Sequence, residues 1–185
     1  MQRTRALIVA LTMLVVASLV LTGCGSNPQS PVRKKDPTAG FVTLSGDGFT
    51  MQLPSRATRT VRTVPTATGK VKAVLYSTGD DPDGTYLVAL TAYPTGTVVD
   101  LDKAVTGAAK NITGVVREND TATYRGHDAR NGRFTADADG TPITVFVRMV
   151  DLGGKLFQLQ YAAKGADVKT PPAQYDAVAA TVRFE

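Results

Sequence analysis

The stretch Thr141–Lys164 reads "TPITVFVRMVDLGGKLFQLQYAAK" and carries the strongest structural signal in the chain. Apolar residues occupy every second position of its first half, at Ile143, Val145, Val147 and Met149. The same spacing returns in its second half at Phe157, Leu159 and Tyr161. A period of two is typical of half-buried strands, and Gly153-Gly154 allows a tight reversal between them. The stretch therefore predicts an antiparallel β-hairpin, and with it a fold built on an antiparallel sheet.

Weaker strand signals precede this hairpin. The pattern predicts strands over Phe41–Leu44, Phe49–Leu53, Val71–Ser77, Thr85–Tyr93, Val115–Glu118, Ala122–Arg125 and His127–Ala136. Residues 55–69 are rich in Thr and Arg, which favours a loop with a weak strand. The run Thr85–Tyr93 is apolar at both odd and even positions, so we expect a central strand covered from both sides.

Two helices are expected to supply the covers. Between Asp100, a good N-cap, and Gly114, apolar residues follow a helical stripe at Leu101, Ala104, Val105, Ala108 and Ile112. A second helix begins after Pro171-Pro172, with its stripe at Tyr175, Val178, Ala179 and Val182. The predicted fold class is α+β, an antiparallel sheet of about six strands with helices packed on it.

The N-terminus has the pattern of an export signal. Two arginines precede an apolar run over 6–21, which is shorter than the roughly 20 residues that span a bilayer. The run ends in Leu21-Thr22-Gly23-Cys24, which matches the bacterial lipobox recognised by the lipoprotein signal peptidase. Cys24 is the single cysteine of the chain, and its thiol is the group that receives diacylglycerol. The alternatives are a plain signal peptide or an uncleaved anchor helix with an incidental cysteine.

Lipidation would define three regions. Residues 1–23 are the lipoprotein signal peptide, 24–40 a lipidated flexible tether with three prolines, and 41–185 a folded domain. Two acyl chains suffice for stable anchoring, and further acylation, for example by palmitate, can follow on the new amino group. We expect the mature protein on the extracytoplasmic face of a bacterial cell membrane, anchored to the membrane without spanning it.

The charge distribution is uneven. Loss of Arg3 and Arg5 with the signal lowers the 21 basic residues to 19 against 16 acidic ones, too small an excess to indicate nucleic acid. The bases concentrate before residue 73, and the candidate contacts to an anionic surface are Arg56, Arg59, Arg62, Lys70 and Lys72. The alternative is that these side chains are simply solvated. Abundant Ala, Thr, Val, Asp and Arg with only two Glu indicate a high-GC bacterium, such as an actinobacterium.

The order of elements resembles a known family. An opening "GDGFTMQLP" hairpin, one helix, "YRGHDARNGRF" with its Gly126–Arg130 segment, the strong hairpin and a closing "VRFE" occur in sequence. This order resembles the PsbP-like α/β/α sandwich, and in particular actinobacterial lipoproteins of the LpqN type. The resemblance covers about 41–185 and implies a non-catalytic accessory or partner-binding protein. No functional residue of the family is carried over to this chain.

Catalytic and metal motifs are sparse. His127 is the only histidine, no serine lies in a "G-x-S-x-G" elbow, and neither phosphate-loop nor dinucleotide fingerprints occur. Asp80, Asp81 and Asp83 suggest calcium, but an EF-hand alignment puts Gly79 and Leu90 where acids are required. We interpret these acids, and Asp137 with Asp139, as hairpin tips, and we expect no metal, no cofactor and no nucleic-acid partner.

Three functional hypotheses follow. The first is a membrane-anchored envelope lipoprotein that binds a partner protein or assists an assembly without catalysis, through the basic stretch or an exposed sheet face. The second is a carrier or sensor of a small or lipidic ligand held between sheet and helix, which a concave apolar pocket would favour. The third, a hydrolase built on His127 or on pairs of Asp, has the least support.

Overall fold

The computed structural model of the protein describes residues 37–66, 69–79 and 84–185. Ten strands and two helices follow one another along these residues. The strands are β1 (Val42–Gly46), β2 (Phe49–Leu53), β3 (Thr58–Thr66), β4 (Gly69–Ser77), β5 (Thr85–Ala92), β6 (Val115–Tyr124), β7 (His127–Ala138), β8 (Thr141–Asp151), β9 (Lys155–Lys164) and β10 (Arg183–Phe184). The helices are α1 (Leu101–Asn111) and α2 (Ala173–Thr181).

The strands form two antiparallel sheets. The larger has seven strands in the order β3-β4-β5-β9-β8-β7-β6, and the smaller has three in the order β1-β2-β10. The predicted hairpin is confirmed as β8–β9, paired from Ile143↔Lys164 to Asp151↔Leu156. Its two apolar stripes lie on opposite faces of the sheet, because Val145 is opposite Ala162 while Phe146 is opposite Tyr161. One hairpin therefore supplies apolar side chains to both layers that pack on the sheet.

The α+β class is correct, but the prediction of about six strands is too low. The region predicted as a loop with a weak strand is the nine-residue strand β3, which pairs with β4 along its whole length. The two short strands predicted over 115–125 are one ten-residue strand, β6, with a bulge between Val116 and Glu118. β10 was not predicted, because a two-residue strand has no periodicity to detect.

One face of the seven-stranded sheet carries the main core. It packs against the three-stranded sheet and α2, and its fully buried side chains include Phe49, Phe157, Leu159 and Val178. Phe157 lies at the centre, with its ring edge-on to Phe49 at 5.1 Å and to Phe184 at 5.1 Å between centroids. The helix predicted after Pro171-Pro172 is confirmed as α2, and Tyr175, Val178 and Ala179 are its buried residues.

The opposite face is partly covered by α1, which lies over β6, β7 and β8. Val105 and Ala109 of α1 are buried against Phe134, Val145, Val147, Met149 and Leu156. Gly132 of β7 makes this approach possible, because a Cβ there would lie 2.7 Å from Val105 Cγ1 and 2.9 Å from Val147 Cγ1. α1 thus packs against one end of the sheet at Gly132, a position where no larger residue fits.

Candidate ligand-binding cleft

A cleft opens beside α1 because the helix does not reach the other end of the sheet. The sequence predicts that helices cover both faces of β5, but α1 lies over β6–β8 instead. Tyr86, Val88 and Leu90 of β5 point into the main core, as expected. The alternate residues Leu87, Ala89 and Thr91 form part of the floor of the cleft. The apolar pattern on both faces of β5 therefore reflects one face packed in the core and one face that lines the cleft.

The cleft has a volume of about 650 Å³ and an apolar floor. Its floor comes from β3, β4, β5 and β9, and one wall comes from α1 and the segment 93–100 before it. The apolar lining residues include Val64, Ala73, Leu75, Leu87, Ala89, Val98, Ala104, Ala108 and Ile112. Ala73 and Ala89 are short side chains in the middle of the floor, which gives the cleft its depth. Ligand sites in proteins commonly have volumes of about 300–1,000 Å³.

Polar groups reach the same cleft from the sheet. Gln158 and Gln160 of β9 and Thr91 of β5 lie among the apolar lining residues. Within the part of the chain that the structure describes, the side-chain amides of both glutamines make no hydrogen bond. Tyr93 stands at the edge of the cleft, and burial raises the pKa of its phenol above the ordinary value. These amides and hydroxyls can pair with polar groups of a bound molecule.

The wall formed by α1 is fixed at its beginning and at its end. Asp100 accepts a hydrogen bond from the backbone N–H of Lys103 at 3.0 Å, and its other oxygen lies 2.9 Å from Lys103 Nζ. These bonds hold the pKa of Asp100 below its usual value, with the backbone hydrogen bond as the largest cause. Asn119 of β6 donates to Asp102 at 2.5 Å. The backbone N–H of Gly114 donates to Ala109 O at 2.8 Å, so the helix ends where the sequence predicts.

The five basic candidates do not converge on one surface. Arg56 precedes β3, and all five side chains are exposed. The β3–β4 register places Arg59 and Lys72 on the face of the main core, beyond the part that the small sheet covers. Arg62 is on the opposite face and lines the cleft. A single flat contact with an anionic surface would therefore engage only some of them.

The remaining candidates, His127, Asp137 and Asp139, do not line the cleft. The ring of His127 packs edge-on against Phe184 at 5.5 Å, and no side-chain hydrogen bond joins it to another residue that the structure describes. Asp137 accepts from Gly140 N at 2.5 Å, and Asp139 has φ of 53° in the same β7–β8 turn. Over 37–66, 69–79 and 84–185, no three His, Cys, Asp or Glu side chains could jointly hold a metal ion.

Several predictions lie outside the described residues. These are the lipidation site Cys24, the recognition residues Leu21, Thr22 and Gly23, and the acids Asp80, Asp81 and Asp83. The structure also has no helix, among the residues it describes, that is long and apolar enough to cross a membrane.

The sequence did not identify Gln158 and Gln160 as site residues. In β9 they alternate with Phe157, Leu159 and Tyr161, and polar residues in that position usually face solvent. The only signal that could have found the cleft is the apolar pattern on both faces of β5. That pattern requires a cover on each face, and a single helix cannot cover a seven-stranded sheet.

Among solved structures, the chain is similar to cyanobacterial PsbP (CyanoP) from Synechocystis. The identity is 13%, the TM-score 0.57, and the match covers 78% of this chain and 92% of that one. This likeness defines the class of fold as PsbP-like, which agrees with the resemblance in the sequence, and it does not extend to function.

Two further structures have lower TM-scores. LpqN, involved in cell envelope biogenesis of Mycobacterium tuberculosis, matches at 14% identity and a TM-score of 0.38, over 69% of this chain and 84% of that one. A protein of unknown function from Pseudomonas aeruginosa matches at 8% identity and a TM-score of 0.37, over 69% and 85%. At such scores neither likeness bears on this chain. No family model matches the sequence, and no curated protein sequence matches it.

Proposed function

We propose that this chain is a lipid-anchored envelope protein that binds without catalysis, and that its ligand lies in the cleft between α1 and the sheet. The observation that carries the proposal is the concavity of about 650 Å³ with an apolar floor, in which the amides of Gln158 and Gln160 make no hydrogen bond to any residue that the structure describes. This geometry favours a small or lipidic ligand with an apolar body and a polar end. Partner binding, the other hypothesis from the sequence, is supported by a separate surface on β3.

The non-catalytic part of the proposal is supported by the surroundings of His127. A general base needs a hydrogen-bonded partner to orient its ring and a nucleophile within reach. His127 instead packs on the Phe184 ring at the beginning of β7, and it does not line the cleft. The cleft itself contains amides, hydroxyls and one ion pair, which suit binding better than bond cleavage.

A pair of alanine substitutions on β5 tests the cleft. Ala89→Phe places a ring on the floor, whereas Ala92→Phe places the same ring on an exposed site of the other face. We expect the first variant to bind an apolar fluorescent dye at least about tenfold more weakly and the second to bind as the wild type does. Native mass spectrometry of the protein extracted from membranes should show co-purified ligand only in the second. Equal dye binding by both variants would contradict the cleft as the site.

The anchor is supported by the lipobox, and Cys24→Ser tests it. Because the chain has no other cysteine, this variant should lose the diacylglyceryl mass and keep residues 1–23, since the lipobox no longer contains the cysteine at which the peptidase cuts. Ser30→Ala, a neutral change in the same tether, should leave both lipidation and cleavage unchanged. A wild-type protein that keeps residues 1–23 and an unmodified Cys24 thiol would instead support an uncleaved anchor helix.

A further inference from the structure

The two outer strands of the seven-stranded sheet differ in how their free edges are protected. β6 has a bulge, and three of its residues are engaged inside the molecule: Glu118 accepts from Arg133, Asn119 donates to Asp102, and Arg117 donates to Thr135. Bulges and such contacts are the usual ways in which natural sheets block further pairing. β6 is therefore a protected edge.

Among the described residues, β3 has neither a bulge nor such side-chain contacts, and its one proline, Pro65, stands next to the last residue of the strand. Its nine residues pair with β4 in an unbroken register from Thr58↔Ser77 to Thr66↔Gly69. No strand among the described residues pairs with its outer edge, so alternate backbone N–H and C=O groups along that edge point away from the sheet. The side chains from Thr58 to Thr63 are exposed. A regular edge of this length is a template for one more strand.

The charges around β3 indicate which kind of added strand could pair with its edge. Residues 48–79 contain five basic residues and no acidic one. Neither Arg59 nor Arg62 forms a salt bridge with any residue that the structure describes. Residues 24–36 of the tether carry three bases, Arg33, Lys34 and Lys35, against one acid, Asp36, so their charge disfavours them as the occupant. Opposite charges across neighbouring strands are stabilising, whereas like charges are destabilising.

The placement of the two arginines favours a strand over a membrane. Arg59 and Val61 lie on one face of β3, while Arg62 and Val64 lie on the other. A flat anionic bilayer would meet the side chains of only one face. An added strand meets both faces at once and also pairs with the backbone groups between them.

We propose that the free edge of β3 binds an extended acidic segment of a partner protein by antiparallel strand addition. The complementary sequence has an apolar residue opposite Val64, an acid opposite Arg62, an apolar residue opposite Val61 and an acid opposite Arg59. Its pattern is therefore apolar-x-acid-apolar-x-acid. The inference rests on the proposed role as a binding protein but not on what occupies the cleft.

The experiment uses the mature lipidated protein in detergent and an acetylated, amidated peptide of sequence Ile-Thr-Glu-Val-Thr-Glu-Thr. We expect the peptide to bind with a Kd below about 1 mM and to protect alternate amides of β3 from hydrogen exchange. The double variant Arg59→Glu/Arg62→Glu should weaken binding at least about tenfold. The same variant should gain affinity for a peptide with Lys in place of both Glu. Arg117→Glu on the β6 edge is the matched control and should leave binding unchanged.

Three outcomes would overturn the inference. One is the absence of peptide binding while the apolar dye still enters the cleft, which would leave the proposed function intact. Another is binding without protection of β3 amides, which would indicate a side-chain contact only. The last is protection of β3 by vesicles of phosphatidylglycerol but not by the peptide, which would assign the edge to the membrane surface.

Discussion

The two ends of the seven-stranded sheet differ in what covers their helix-side face. Over β6–β8 the face is closed by α1, whose Val105 and Ala109 are almost fully buried. Over β3–β5 the same face is the floor of an open cleft, with short residues such as Ala73 and Ala89 in its middle. Because one helix covers only part of a seven-stranded sheet, the covered half contributes buried apolar contacts that stabilise the domain. The uncovered half leaves an open face that can bind a ligand.

The largest expected effect is the difference in unfolding free energy between a truncated side chain in the covered half and one in the cleft half. Met149→Ala removes a side chain that is 1% exposed beneath α1, and we expect it to lower the free energy of unfolding by about 2–5 kcal/mol. Leu87→Ala, on the same face but in the cleft, should cost about 1 kcal/mol, because that side chain is only partly buried. Chemical denaturation of both variants measures the two values. Equal losses would mean that the cleft half is as tightly packed as the covered half.

A smaller effect is expected where α1 touches the sheet. Gly132→Ala would place a Cβ 2.7 Å from Val105 Cγ1, so the helix or β7 must shift, and we expect a loss of about 1–3 kcal/mol. Dye binding in the cleft should change as well, because α1 is its wall.

The matched control is Gly107→Ala on α1 itself. A Cβ at this position has nothing within 4 Å, and alanine is favoured over glycine inside a helix by up to about 1 kcal/mol. This variant should therefore be slightly more stable than the wild type. A loss of stability in Gly107→Ala, or none in Gly132→Ala, would show that the helix does not rest on β7 as the structure places it.

The sequence predicted β8, β9 and α1 well because local patterns determine them. The period-two stripes of β8 and β9 and the helical stripe of α1 appear directly in the residue order. The open half depends on where α1 lies across the sheet, and the small residue that decides this, Gly132, has no periodic signature. β3 was underestimated because Thr and Arg are exposed at its outer positions and only Val61 and Val64 mark it as a strand. Its edge position explains that composition.

The smallest expected effect is a pH dependence at the covered end. Arg133 is 5% exposed, and its guanidinium lies 2.7 Å from Glu118 and 2.5 Å from Asp167, which also pairs with Lys169. Lys169, and then Arg133, lower the pKa of the Asp167 carboxyl from 3.8 to about 2. Because the unfolded chain takes up this proton first, the stabilisation is complete above about pH 4 and is lost as the pH falls towards 2.

In thermal melts between pH 6 and pH 2, Asp167→Asn should therefore lose less stability on acidification than the wild type. Lys169→Met should also lose less stability than the wild type, since the carboxyl loses its first partner and its pKa in the folded protein moves back towards 3.8. Identical profiles for Asp167→Asn and the wild type would mean that this ion pair does not stabilise the covered end, and the contrast between the two ends would then rest on apolar packing alone.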